Sequence, residues 1–302
     1  MISTAQYGAG TGRLVVADPA TTLSDVPTPV LFDLLRDAGF LLLRGFEPDI
    51  DQFAALVQRV SSRVTLDPAR RFSGDVAQKV DAGLGAVGLH CENGNAPLLP
   101  HLTWFFCEKA ASRGSQTTVC DGFRVWDALS PAARDAFGAQ EIVYSRRVEE
   151  AQWKMFVAHT LGNGAAADDI GLDDLEDVMA LSDGTTYEAL QDGAIRYSFA
   201  VGAAHPTLWS ERLAFANSIL GPSFNYETPR ITFRDGSDIP VSLMEEIERV
   251  TGELTEDLDW VDGDIALIDN TRVMHGRRAI LDADRTIYNA LSYVAPVPAV
   301  VA

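Results

Sequence analysis

Residues 263–277 read Gly263-Asp264-Ile265-Ala266-Leu267-Ile268-Asp269-Asn270-Thr271-Arg272-Val273-Met274-His275-Gly276-Arg277. A run of four apolar residues closed by a polar cluster is the pattern of a buried strand entering a turn. A histidine follows shortly. With its neighbours the stretch divides into a strand (Trp260 to Asp269), a turn segment (Asn270 to Ala279) and a second strand (Thr286 to Val294). A lone histidine in such a place is most often a satisfied core or turn residue. In company with a second imidazole and a carboxylate it becomes a candidate metal ligand.

Upstream, short apolar segments separated by turn signals recur from about Val87: Gly88 to His90, Leu102 to Cys107, Thr117 to Cys120 and Arg196 to Val201. Ahead of them, Val26 to Asp37 has helical spacing, with Thr28 as N-cap and Pro29 in the first helical position. Gly39 to Gly45 reads as a buried strand, and Gln52 to Val60 as a second helix capped by Asp51. Asp168 to Asp177 is an acidic, solvated helix or loop, and Ser242 to Leu254 is helical. No internal repeat and no Gly/Ser/Pro linker divides the chain. The expectation is one α+β domain, residues 1–302, with a β-sandwich core, flanking helices and a long insertion at about 150–225.

His90-Cys91-Glu92 supplies that company for His275. Alternate residues of a strand face one side, so His90 and Glu92 can converge while Cys91 turns away. Taken alone, the pair could equally be a polar pair on a surface strand. Two histidines and one carboxylate together form the facial triad that leaves positions open on an iron ion.

The segments His90 to Asp121 and Trp260 to Tyr293 together resemble the taurine dioxygenase-like (TauD/TfdA) superfamily of iron(II)/2-oxoglutarate oxygenases. The Gly39-to-Gly45 strand and its following helix resemble that family's N-terminal region, whereas about 150–225 matches loosely. The resemblance implies a double-stranded β-helix with His90, Glu92 and His275 as iron ligands. It implies Thr117 and Arg285 as contacts for 2-oxoglutarate, from their spacing after the two histidines. A guanidinium suits a carboxylate because its planar donor pair matches the two oxygens. Arg285 could also be a solvated strand-end charge, and Arg277 and Arg278 could be surface or supporting residues.

Three departures from the family's pattern stand out. Gly114-Ser115-Gln116 precede Thr117 where Gly-Gly-Glu/Asp is common, leaving Thr118 as an alternative. Asn289 stands where many members have a second arginine, which leaves open which carboxylate Arg285 holds. The acid is Glu, as in the clavaminate synthase-like amino-acid oxygenases. The resemblance implies Fe(II), 2-oxoglutarate and O2 as cofactors, and succinate and CO2 as products alongside an oxidised substrate. That substrate is expected to be a small amino-acid- or peptide-derived metabolite. Hydroxylation is the default outcome, with desaturation, epoxidation or cyclisation open to the same chemistry. A non-catalytic β-sandwich binding protein is the rival from another class. A halogenase would have a small residue in place of Glu92. Asn93, Asn95 and His205 are candidate substrate contacts, although Asn93-Gly94-Asn95 is also an ordinary turn. Trp104, Phe105 and Phe106 are expected in the core.

The chain has 302 residues, 47% of them hydrophobic, with a formal net charge of −19. That charge argues against a sequence-independent grip on nucleic acid or anionic lipid. Three cysteines, Cys91, Cys107 and Cys120, without framework spacing suggest a reduced, cytoplasmic setting. No secretory signal or membrane-spanning run is read, and the expected partner is a small molecule.

Overall fold

Every residue of Ile265–Asp269 is buried, and the two parities of this strand pack on different layers. Ile265 and Leu267 join Leu41, Leu43, Trp104 and Phe106 beneath the helices Thr28–Ala38 and Ile50–Val60, which contribute Leu31, Leu35, Phe53, Leu56 and Val57. Ala266 and Ile268 join Phe40, Leu42, Phe105, Cys107 and Ile287 on the other face, where they meet Val119, Leu258 and Val273 of a second sheet. A strand covered on both faces has no solvent side, so its sequence shows no polar alternation.

The computed structural model describes residues 1–65, 72–73, 76–80, 83–162, 164–222 and 227–294. Among them, a nine-stranded sheet runs in the order Ile2–Gln6, Arg13–Ala17, Phe40–Arg44, Ile265–Asp269, Leu102–Lys109, Thr286–Tyr293, Ala77–Lys79 and Phe72–Ser73, with Arg63–Thr65 also on Thr286–Tyr293. A four-stranded sheet faces it in the order Glu256–Leu258, Thr117–Asp121, Val273–Arg277 and Val87–His90. The outward side chains of this smaller sheet, Cys120 and Met274, share a core with Leu89, Cys91 and a third sheet. That third sheet is built from Thr185–Ala189, Ile195–Val201, Ile142–Val148 and Arg230–Phe233. The loosely matching region at about 150–225 thus lies within the 142–233 span that covers the small sheet. The architecture is mixed α+β.

Three local expectations are corrected. The cap of the first helix is Pro27, and Thr28 already lies inside it. Pro29 falls in the first turn, where a missing N–H leaves no acceptor unmet. The second helix starts at Ile50 because Asp49, not Asp51, forms a capping box with Gln52: the Gln52 N–H donates to Asp49 Oδ1 at 2.8 Å, and the Asp49 N–H donates to Gln52 Oε1 at 3.0 Å. The turn after Asp269 is much shorter than Asn270 to Ala279. Asp269 Oδ1 accepts from Thr271 N–H (2.9 Å) and from the Thr271 hydroxyl (2.6 Å), which closes the chain within three residues. Val273 then enters a strand that carries His275.

One side chain of this turn reaches four parts of the fold. Arg272 donates to both carboxylate oxygens of Asp121, Nε at 3.0 Å and Nη2 at 2.7 Å, and through Nη1 to the carbonyls of Arg36 and Asp37 at the end of the first helix. Thr11 donates to the same carboxylate at 2.7 Å. Both charged side chains are 5% exposed. Arg272→Met leaves Asp121 charged, buried and unpaired, so unfolding by urea should show a loss of about 3–5 kcal/mol. A loss below about 1 kcal/mol would mean that water reaches the carboxylate.

Candidate metal and anion site

His275 lies in mid-strand, directly opposite His90 in the antiparallel register. Opposed residues share a face, and the two rings stand 4.5 Å apart between centroids. His90 Nδ1 is 2.9 Å from the carbonyl of Gly88, a contact that suits the tautomer offering Nε2 as a ligand. Glu92 completes the group, its Oε1 3.5 Å from His275 Nε2. One ligand atom from each of His90, Glu92 and His275 can be chosen so that all lie within 4.8 Å of one another.

The route by which Glu92 arrives differs from the expectation. The strand ends at His90, and Glu92 sits in a turn whose next residue, Asn93, has φ +57°. Strand alternation therefore does not orient Glu92. Asn270 holds it instead: Asn270 Oδ1 accepts from the Glu92 N–H at 2.9 Å, and its Nδ2 donates to the carbonyls of Glu92 (3.0 Å) and Pro100 (2.8 Å). Cys91 still turns away, into the core under the third sheet. Its thiol is pushed well above its usual range by burial.

The donor set fits a divalent ion. His275 is 2% exposed, and neither of its ring nitrogens has a hydrogen-bond partner among the described residues. Buried polar atoms are nearly always paired, so an orphaned imidazole beside a carboxylate and a second imidazole points to an ion as the missing partner. Phe105, expected only in the core, packs edge-on against the His275 ring at 5.3 Å between centroids. Trp104 and Phe106 lie in the helix-side core.

Further along the inner face, Arg277 stands opposite Thr117, and Thr117 Oγ1 accepts from Trp260 Nε1 at 3.2 Å. Thr118 pairs with Gly276 on the opposite parity. Gly276 is required: an added Cβ would lie 2.6 Å from the Val87 carbonyl and 2.8 Å from Thr118 Oγ1. Arg285 donates through Nη2 to the Val80 carbonyl at 2.8 Å, and no carboxylate among the described residues pairs with it. Burial, then the like charge of Arg277, bring its guanidinium down to about 10. Arg277 is buried rather than at the surface, and donates through Nη2 to the carbonyls of Gly83 (3.0 Å) and Gly85 (2.8 Å). Arg278 is exposed and paired with Asp257. Arg285, a half-buried cation with no carboxylate partner among the described residues, invites an anion.

The remaining candidates have backbone partners. Asn95 donates to the Pro222 carbonyl, and its own carbonyl accepts from Tyr197 Oη at 2.8 Å. His205 has its ring nitrogens 2.9 Å from the carbonyls of Pro206 and Ala216. Neither belongs to the metal-binding group, and nor does Asn93. Asn270, Trp260 and the buried position of Arg277 carried no sequence signal of their own. Asn289 is fully buried, opposite both Phe105 and the buried Gln78.

A family model described as taurine catabolism dioxygenase TauD, TfdA family matches residues 3–291. The chain belongs to this family. It is a dioxygenase. Among solved structures, the PvcB protein from Pseudomonas aeruginosa is similar at TM-score 0.63 and 14% identity, over 98% of this chain and 91% of that one. A taurine dioxygenase from Burkholderia xenovorans gives 0.63 and 13%, over 99% and 91%. AAD-2, in complex with Mn(II) and N-oxalylglycine, gives 0.64 and 12%, over 98% and 99%. At such identities these structures speak for the fold. Among curated proteins none matches the sequence.

In this TauD, TfdA family dioxygenase the turn beside the site carries one more buried charge. Burial raises the Asp269 carboxyl to about 6, against the lowering influence of the Thr271 hydrogen bonds and Arg272. A carboxyl raised from its ordinary value near 4 binds its proton more tightly in the folded protein. Its contribution to stability therefore falls as pH rises between about 4 and 6 and levels off above. Asn at position 269 retains the accepting oxygen and removes the titration. From pH 5 to pH 8 the wild type should lose about 1–2 kcal/mol relative to Asp269→Asn, measured by urea unfolding. A pH-independent difference would show that Asp269 is ionised throughout.

Proposed function

We propose that this dioxygenase uses iron(II), 2-oxoglutarate and O2 to hydroxylate an unactivated C–H bond of a small amino-acid- or peptide-derived metabolite. The observation that carries the reading is the convergence of His90, Glu92 and the buried His275, whose ring nitrogens have no hydrogen-bond partner among the described residues. His90, Glu92 and His275 would hold the iron. Bound iron and 2-oxoglutarate supply the oxidising power, with 2-oxoglutarate ending as succinate and CO2. Glu92 occupies the place that a halogenase would leave to halide. A non-catalytic binding protein would have no use for a complete ligand set beside an anion site.

Thr117 and Arg285 would receive the distal carboxylate of 2-oxoglutarate. Arg285 offers a planar donor group with no carboxylate partner among the described residues, and Thr117 lies opposite Arg277 on the inner face. A bound carboxylate would relieve the repulsion between Arg277 and Arg285, so cofactor binding and the local electrostatics agree in sign. Phe105 keeps water from one side of His275, which strengthens polar contacts within the site. We read the nine-stranded and four-stranded sheets as the two halves of a double-stranded β-helix within one domain spanning 1–302. The 150–225 region is its insertion. No helix among the described residues is long and apolar enough to cross a membrane. The three cysteines are buried and free, in keeping with a reducing cytoplasm.

Anaerobic addition of iron(II) and 2-oxoglutarate together should produce the weak visible charge-transfer band of the chelate. Its absence from protein shown by calorimetry to be iron-loaded would overturn the oxygenase reading. Arg285→Leu should weaken 2-oxoglutarate binding by about 2–5 kcal/mol while iron affinity stays near that of the wild type. An unchanged 2-oxoglutarate affinity would transfer the role to Arg277 or Arg278.

A further inference from the structure

We infer that Asn270 is the positioning residue of the metal centre, setting where Glu92 stands relative to His275. This rests on the proposal that Glu92 and His275 are metal ligands. The two histidines need little help, because they face each other in a β-ladder whose register fixes them. Glu92 has no such ladder, being in a turn beyond the strand and followed by a residue in the left-handed region.

The Asn270 amide takes the ladder's place. It accepts from the Glu92 N–H and donates to the Glu92 carbonyl, as a neighbouring strand would, and its second donor goes to Pro100. Its backbone is tied as well, the N–H donating to the His101 carbonyl at 2.9 Å. The side chain is fully buried. Asn270 is also five residues before His275, in the turn that leads directly into the His275 strand. One side chain therefore cross-links the segments bearing the two ligands that stand 3.5 Å apart. The opposite flank of the Glu92 turn is held independently, by the Ser218 hydroxyl donating to the Cys91 carbonyl at 3.0 Å and the Cys91 N–H donating to the Asn217 carbonyl at 3.1 Å.

The chemistry demands an amide. An aspartate would keep an acceptor for the Glu92 N–H but set an anionic oxygen against two carbonyls, with a second negative charge beside Glu92. An alanine would leave one N–H and two carbonyls without partners. Partners that orient a metal ligand typically contribute 10- to 100-fold in metal affinity when removed.

The test titrates Mn(II) alone into the intact protein, by electron paramagnetic resonance and calorimetry, with thermal melting as the check on folding. Asn270→Ala and Asn270→Asp should each bind Mn(II) at least about tenfold more weakly than wild type. Thr271→Val, from the same turn, loses its contacts to Asp269 and Leu208; it should lower the melting temperature but leave Mn(II) affinity unchanged. That split separates positioning from general support of the turn. Folded Asn270 variants with wild-type affinity would overturn the inference. Glu92→Ala is the reference: if it also binds Mn(II) like wild type, the ligand assignment itself fails. Should both Asn270 variants fail to fold, hydrogen exchange on the wild type decides. The Glu92 amide, although in a turn, should then exchange as slowly as the strand amides around His275, and fast exchange would overturn the inference.

Discussion

The ion pair between Arg272 and Asp121 is the contact on which the rest of this structure depends. A guanidinium with 5% of its side chain exposed needs an acceptor for every direction in which it donates. Asp121 takes two donors, and the carbonyls that end the first helix take the others. The arrangement joins the end of one small-sheet strand to the start of its neighbour, and both to the helix over the large sheet. Thr11 extends it to the N-terminal strands. Because such a pair is costly when incomplete, it tolerates one docking of these elements and penalises alternatives.

The same turn serves the site through its other side chains. Asp269 closes it, Thr271 accepts from the Leu208 N–H in the hairpin of His205–Thr207 and Ser210–Ala214, and Asn270 reaches Glu92. Four consecutive polar residues thus have four different tasks, and all are buried. The strand that follows inherits its position from them. Val273, His275 and Arg277 face inward at alternate places, so one parity supplies a core contact, a candidate metal ligand and a cation in sequence. Gly276 between the last two lets the Val87 backbone approach.

Electrostatics divide the inner face into two regions. Around His275 lie one carboxylate, one further imidazole and the ring of Phe105, an environment that suits a divalent cation. Two residues further on, Arg277 faces Thr117, with Arg285 near enough to feel its charge. A protein with a net charge of −19 nevertheless sets two guanidiniums close enough to feel each other beside its sandwich. Overall charge was a poor guide to this region, because it averages over a surface that the site does not share.

Much was readable in the chain itself. The buried strands around Ile265 and Leu102 announce themselves by apolar runs, and the His-x-Glu pair with a distant histidine, read through the family resemblance, marks a candidate metal site. Residue type decides these things, because only certain side chains can be buried in bulk or coordinate an ion. What the chain could not disclose was which groups meet across long separations. Glu92 is oriented by Asn270, 178 residues away, and nothing local to either marks the contact. Arg277 and Arg278 were equivalent in the sequence, each a surface or a supporting residue, until the register turned Arg277 inward and left Arg278 outside. Asn95 donates to the carbonyl of Pro222, and His205 meets those of its neighbour Pro206 and of Ala216, pairings that the residue types alone do not disclose. In each case local sequence sets the chemical capability, whereas the partner is chosen by sheet register and by the packing of distant segments, which pairwise geometry alone decides.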